Sequence, residues 1–422
     1  MKKIMKVPVE SRPESSRVWP DLEQYARGEI QRFVQRLLEE EVDDLLGRKK
    51  SERRGAGDGA GASAAGYRNG YGRVRRLALS SGTITVRRPR VRDLEERFTS
   101  RLLPLFKRRT EEVGALLPEL YLHGLSLGDF ELALRGLLGD GAPLSPSSIL
   151  RLKEDWQRQY DAWKRRDLAG LELVYLWADG IYVKAGLEDS KAALLVLIGA
   201  TANGEKTVLA VESGARESVE SWSGVLRDLK RRGLVAPRLT IADGHLGIWG
   251  ALRAVYPESQ EQRCWNHKLR NVLDVVPLKR QAEVKGCLQR IAAAESRAQA
   301  ERLKRDFGKS YERVFPKAVE RLERDWERMV SYYAFPREHW NHIRTTNVIE
   351  SPFAAVRLRT GAAKRFKRVE NATALIWKML LVVEQRMRKL NAPHLLADVY
   401  AGNEYRDGVR VVINDTREQL AA

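Results

Sequence analysis

In the middle of this chain three apolar runs follow one another with no helical pattern between them. They are LELVYLWADGIYVKAG over 171–186, then 191–201, then 206–212. Asn203-Gly204 joins the last two, and the pair suits a tight hairpin because both central positions of a type I′ turn need positive φ. After residue 212 the pattern changes. Residues 218–232 place Trp222, Leu226 and Leu229 on one side of a helix, 239–242 is a short apolar strand, and 246–256 is helical. A short strand then ends near Cys264, and another helix runs through Val276. Three sequential strands followed by alternation predict a mixed sheet with helices on its faces, an α/β class.

The flanks read differently. Residues 21–47 form one amphipathic helix, with Asp21 as N-cap and Gly47 as C-cap. Residues 49–66 are rich in Gly, Ala and Ser and read as a flexible loop. Residues 73–91 read as a hairpin that runs into Arg87, Arg88, Arg90 and Arg92 around Pro89. Such a strand suits phosphate contact, or equally a charged edge that blocks aggregation. Residues 110–167 are helical, with 126–138 and 145–163 joined by GDGAP. This pair reads as a helix-turn-helix offering Ser147, Ser148, Arg151 and Lys153 to a DNA groove, or as an ordinary helical hairpin. Beyond the sheet, 281–329 is charged and helical, an all-α insertion. A last amphipathic helix covers 372–390, and the tail holds a weak strand pattern, VRVVI. The expected segments are therefore a helix over 1–48, loop and basic hairpin over 49–109, and a helical DNA-binding region over 110–168. The core comes next over 169–280, then the insertion over 281–342, the core's last part over 343–392 and a tail over 393–422.

Charge points to a partner. Lys and Arg number 75 against 56 Asp and Glu, a net charge of +19, which favours a polyanion over a merely solvated basic surface. The two cysteines exclude a disulfide framework and fit a reducing compartment. The longest apolar stretch, 192–200, falls far short of the roughly 20 residues that span a bilayer. The first residues lack the apolar core of a signal peptide. A cytoplasmic protein with no membrane partner is expected.

Three acids stand out. Asp-Gly occurs five times, so the dipeptide alone says nothing. Asp179 and Asp243 differ from the others in closing apolar runs, LELVYLWAD and RLTIAD, which would set carboxylates at the rim of a sheet. The plain alternative is a pair of solvated turns. Glu350 sits in Asn347-x-x-Glu350, the spacing of a capping box, although a helix start at Ser351-Pro352 fits as well. Cations crowd around it: Arg344 before, then Arg357, Arg359, Lys364, Arg365, Lys367 and Arg368 with no acid among the last six. Phosphodiester cutting must activate one oxygen and stabilise another, and two divalent ions about 3.5–4 Å apart do both. A few carboxylates suffice for Mg²⁺ or Mn²⁺.

Other candidates are weaker. Cys264 and His267 form Cys-x-x-His, and Cys287, His339 and His342 could complete a zinc set. Nothing in the pattern makes them converge, so zinc is not expected; a local hydrogen-bonded bracket, or contact of His267 with DNA, fits better. His245 reads as an accessory or a strand-end packing residue. Trp265 and Trp340 suit base stacking or core packing. No GKS or GKT phosphate loop is present, so no ATP is expected.

Longer strings carry a resemblance. DGxxVK at Asp179, ADGHxG at Asp243, RCWNHKLRNVLD at Cys264 and YYAFPREHWNHIRTTNVIES through Glu350 resemble the Mutator-type transposases of bacterial insertion sequences. GYRNGYGRVRR, SGTITVRRPRVRD and LSLGDFELALRGLLGDGAPLSPSSILRL also look like that family, in its order, over about residues 67–390. The resemblance implies an RNase H-like core with an all-α insertion before the last acid, behind a mainly helical DNA-binding region. It implies Asp179, Asp243 and Glu350 as first, second and third ligands of two Mg²⁺ or Mn²⁺ ions. It further implies a DDE transposase acting on double-stranded element ends and target DNA, self-associating as a dimer or more, in the bacterial cytoplasm at the nucleoid. The helices of 110–167 would bind the terminal inverted repeats. Val348, Pro352 and the long 55–66 stretch depart from the family pattern without removing a ligand. A non-enzymatic helix-turn-helix binder and a nuclease of the same fold that does not join strands are the competing functions.

Overall fold

The alternation of apolar and polar residues fixes which faces are buried, and a computed structural model shows how they pair. It describes residues 15–52, 66–94, 96–103, 108–123, 125, 133–135, 138, 146–185, 191–214, 216–244, 246–363 and 365–411. The chain divides into two units, Met1–Leu150 and Arg151–Ala422.

In the first unit, helix α1 spans Ser15–Leu46 and so begins before Asp21, which is not its cap. Gly47 ends the helix as expected, at φ 64°. Strands β1 (Tyr67–Leu79) and β2 (Gly82–Arg92) form an antiparallel hairpin. Leu38 of α1 packs with Leu77, Ile84 and Val86 to make this unit's core.

The outer edge of β2 is sealed by α1. Gln31 Oε1 accepts the Thr85 N–H, Gln35 Oε1 accepts the Arg87 N–H, and Gln35 Nε2 donates to the Arg87 carbonyl. One i, i+4 step rises about 6 Å along a helix and two strand residues cover about 6.6 Å, so the glutamines match alternate strand positions. The helix rather than the arginines therefore protects this edge. Arg87 and Arg90 stay exposed, and Arg88 is half-buried. Helix α2 (Glu111–Leu122) comes next. Most of the expected 126–138 helix and the GDGAP turn lie outside the described residues. The second partner of that pair is α3 (Pro146–Lys164).

The second unit holds the sheet. Its elements run β3 (Leu173–Lys184), β4 (Lys191–Thr201), β5 (Lys206–Gly214), α4 (Val219–Arg231), β6 (Leu239–Ala242), α5 (Leu246–Val255), β7 (Gln260–Arg263) and α6 (Trp265–Leu273). The spatial order is β5-β4-β3-β6-β7. The first three strands pair antiparallel, and β6 and β7 add in parallel, giving the mixed sheet expected. One face buries Leu176, Ala178, Leu195 and Leu209 against Trp222 and Leu226 of α4 and Trp249 and Leu252 of α5.

The other face is closed by the C-terminal part of the chain. Helices α7 (Leu278–Ala292), α8 (Arg297–Tyr311), α9 (Pro316–Glu323), α10 (Trp326–Met329) and α11 (Trp340–Ile343) make a helical excursion. It returns to the sheet where Tyr175 Oη meets His339 Nδ1 at 2.8 Å and Trp177 Nε1 donates to the His342 carbonyl at 3.1 Å. Helix α12 (Asn347–Ala363) packs on β3, and α13 (Val369–Glu384) on β5. Helix α14 (His394–Tyr400) precedes a two-residue ladder, β8 (Tyr405–Arg406) with β9 (Val409–Arg410), where the weak strand pattern begins. Among the described residues no helix is long and apolar enough to cross a membrane.

Lys268 of α6 ties the excursion down. It is 1% exposed, and its ammonium donates to the carbonyls of Arg321 and Arg324 at the end of α9. Burial lowers its pKa to about 7. The unfolded chain then binds more protons than the native one between about pH 7 and the ordinary lysine value, so stability rises with pH across that window. Lys268→Met should accordingly destabilise more at pH 9 than at pH 6, by on the order of 2 kcal/mol in urea melts. An equal loss at both pH values would show that the buried lysine keeps its proton.

Candidate active site

The site starts from a register. Strand β3 pairs with β6 in parallel, with Tyr175 opposite Leu239, Leu176 opposite Thr240, Trp177 opposite Ile241 and Ala178 opposite Ala242. Facing residues of parallel strands share a side, and sides alternate along a strand. Ala178 and Ala242 both enter the α4–α5 core. The next residues, Asp179 and Asp243, therefore turn to the opposite face, side by side. Strand β6 ends at Ala242, whereas β3 runs on to Lys184 with Asp179 still opposite Val196 of β4. Asp179 is thus a mid-strand residue and not the strand end that its apolar run suggests.

Neither Asp-Gly glycine makes a turn. Both lie outside the left-handed region, and each makes room for a charged group instead. A methyl on Gly180 would overlap the Glu217 carboxylate, and one on Gly244 would overlap the Arg263 guanidinium, which is paired with Asp325 at 2.7 Å. Sequence reasoning misses Glu217, which lies just before α4. Its only signal there is the glycine that admits it.

Electrostatics link these groups. Burial pushes the Asp179 carboxyl up to about 7, and the charges of Asp243 and Glu217 add to the effect. The Gly180 N–H, 2.8 Å from Asp179 Oδ1, and the nearby His267 act the other way. His267 is raised to about 9 by its hydrogen bond to Cys264 and by the Cys264, Asp243 and Glu350 charges, against the cost of burial. It is a cation among acids at neutral pH.

Glu350 arrives on α12. The Ile349 and Glu350 N–H groups both bond the Thr346 carbonyl at 3.0 Å, so the helix starts behind Thr346. Thr346 rather than Asn347 is therefore the cap, and the start expected at Ser351-Pro352 is corrected too. Asn347 is the first residue inside the helix, where its Oδ1 accepts from Asn266 Nδ2 at 3.0 Å, and Pro352 also lies inside the helix. Glu350 Oε1 accepts the Thr346 hydroxyl and lies 3.7 Å from His267 Nδ1. Ligand atoms of Cys264, His267 and Glu350 fall within 4.8 Å of one another. Cys287 lies instead 3.7 Å from the Tyr311 hydroxyl, His339 bonds Tyr175, and His342 accepts the Asn391 N–H.

With this geometry in place, the comparison with known proteins is direct. Residues 9–389 match the family described as Transposase, Mutator family. The chain belongs to the Mutator family of transposases. It is similar to the transposase for insertion sequence element IS6120 of Mycolicibacterium smegmatis, 44% identical over 70% of this chain and 92% of that one. The transposase for IST2 of Acidithiobacillus ferrooxidans is 42% identical over 66% and 94%. That for ISRM5 of Rhizobium meliloti (strain 1021) is 30% identical over 86% and 88%. A Drosophila P element transposase strand transfer complex overlaps 67% of this chain and 83% of its own at 13% identity and a TM-score of 0.27, a value too low to bear on fold or chemistry.

A Mutator-family transposase acts on DNA, and the candidate DNA contacts sort by exposure. Arg357, Arg365, Lys367 and Arg368 are exposed. The basic loop is anchored where the Phe366 N–H bonds the Lys184 carbonyl at 2.9 Å. Arg359 is only 2% exposed, because the helical period turns it to the side opposite Arg357, and it is no surface phosphate contact. Arg344 donates to the Ala292 carbonyl and to Asn341, which ties the end of α7. Trp340 is buried against Tyr332 and Tyr333 with Nε1 on the Phe335 carbonyl, and Trp265 is buried with Nε1 on the Met329 carbonyl. Both pack cores rather than bases. Arg151 is exposed and Lys153 half-buried on α3. His245, Lys364 and the side chain of Ser147 lie outside the described residues.

Burial is the larger cause of the Asp179 shift, and this can be checked. Glu217→Gln should lower the Asp179 midpoint slightly, in a carboxyl ¹³C NMR titration in metal-free buffer, while leaving it well above the ordinary carboxylate range. A fall to that range would make neighbouring charge the dominant cause.

Proposed function

We propose that this chain is a DDE-type transposase with an RNase H-like sheet, in which Asp179, Asp243 and Glu350 hold two Mg²⁺ or Mn²⁺ ions. The observation that carries the reading is the β3–β6 register, which sets Asp179 beside Asp243 on the face that α12 covers. The donor set fits such ions. It offers hard carboxylate oxygens, and burial beside Asp243 and Glu217 raises the Asp179 carboxyl to about 7, so that a bound cation would favour its charged form. When bound, a pair of such cations supplies Lewis acidity to an attacking and a departing oxygen.

The chain's own groups do the rest. His267 keeps its proton beside Glu350 and balances the acids. Arg357, Arg365, Lys367 and Arg368 would hold DNA phosphates, joined by Arg87, Arg88 and Arg90 of β2. Residues 110–168, including Ser147, Arg151 and Lys153, would recognise terminal inverted repeats. A water would cut one strand at the element end, and the freed 3′-hydroxyl would attack the target strand. Holding two ends together requires at least a dimer. No ATP enters, and the site of action is the bacterial nucleoid.

Asp179→Asn, Asp243→Asn and Glu350→Gln should each cut Mg²⁺-dependent nicking and joining of end DNA by roughly a thousandfold or more. End binding in gel shifts should stay within a few-fold of wild type. A variant that still joins leaves the ligand set. A wild-type chain that cuts without joining would be a nuclease, and one that only binds would be a helix-turn-helix binder. Separately, removing Lys367 and Arg368 together should make the slope of log affinity against log salt shallower by roughly two. An unchanged slope would make this loop a solvated surface.

A further inference from the structure

Glu350 is held by more than its helix. Thr346, fully buried, contacts three functional side chains at once. Its hydroxyl lies 3.2 Å from Cys264 Sγ and 3.4 Å from His267 Nδ1, and it donates to Glu350 Oε1. Its backbone N–H donates to Cys264 Sγ at 3.3 Å. The flanking backbone is zipped as well, with the Trp265 N–H on the Arg344 carbonyl at 3.0 Å.

Cys264, His267 and Glu350 lie close enough together to suggest one soft metal ion. A hydroxyl oxygen already stands among them. It has one proton and two lone pairs, and donation to a carboxylate is the strongest use of that proton. His267 Nδ1, 3.4 Å away, faces one of those lone pairs. The three neighbours therefore have a partner without an ion at that point.

We infer that Thr346 is a positioning residue. Its hydroxyl couples the Cys264-x-x-His267 segment to Glu350 and thereby fixes the third carboxylate against Asp179 and Asp243. Cys264 acts in this scheme as a buried acceptor and not as a nucleophile or zinc ligand. The inference rests on the proposed role of Glu350 as a metal ligand and deepens it.

The test uses the full-length chain with Mn²⁺ as the probe. Thr346→Val keeps shape and loses the hydroxyl, whereas Thr346→Ser keeps the hydroxyl. Thr346→Val is expected to weaken Mn²⁺ binding about tenfold by calorimetry and to lower kcat for end nicking at least tenfold, with KM for end DNA unchanged. Thr346→Ser is expected to stay within threefold of wild type in both. If Thr346→Val does not fold, Thr346→Ala makes the same test in less volume. A Thr346→Val chain with normal Mn²⁺ affinity and kcat overturns the inference, and so does a Thr346→Ser chain as impaired as the valine variant. Stoichiometric zinc in the purified protein that is lost on Cys264→Ser overturns it too. Glu350→Gln run alongside separates the two levels. If it binds Mn²⁺ and nicks normally, the ligand reading of Glu350 fails and the inference falls with it. If it is inactive while Thr346→Val is normal, the inference alone fails.

Discussion

The parallel pairing of β3 with β6 is four residue pairs long, and the site hangs on it. Every residue of β6 is buried, as is β3 from Leu173 to Ala178. Because side chains alternate with a period of two, a slip by one residue would drive Asp243 into the α4–α5 core and expose Ala242. The cost of burying an unpaired carboxylate there far exceeds what any local turn preference could offset. Hydrophobic packing on one face of the sheet thus sets the acids on the other.

The third acid needs a different device. Thr346 lies 82 residues beyond Cys264 in sequence, and the helical excursion fills that interval. Three contacts shut its mouth: the Trp265 N–H on the Arg344 carbonyl, the Thr346 N–H on Cys264 Sγ, and Asn266 on Asn347. Lys268 then staples α9 from inside. The position of Glu350 depends on this closed mouth more directly than on the helices looped out behind it.

Much of this is legible in the residues. The strand and helix order from 171 to 276, a hairpin at Asn203-Gly204 and the strandless excursion come from periodicity and turn chemistry alone, since those signals are local. The hairpin loop itself is 202–204, with only Gly204 at positive φ, and not the two-residue type I′ turn expected. The illegible part is non-local. Asp179-Gly180 carries the signature of a turn, yet the strand continues because β4 pairs through it and the glycine serves the Glu217 carboxylate. Thr346 and Asn347 are both good cap types, and their residue types alone do not say that the helix begins behind Thr346. Arg359 reads as one more cation in a basic run until the helix turns it inward. Trp265 and Trp340 sit among polar neighbours in sequence and apolar ones in space. The glutamines that seal β2 carry no sequence signal beyond a spacing of four.

The closed mouth also orders events in time. All five strands of the large sheet precede Cys264, so during synthesis Asp179 and Asp243 emerge long before Glu350. Closing a loop of that length is entropically slow as well as late. A ribosome-bound or prematurely terminated chain would therefore carry two of the three acids and an open bracket. Under the proposed reading, the three-acid set exists only in a polypeptide that has reached residue 350 and folded back on residue 264.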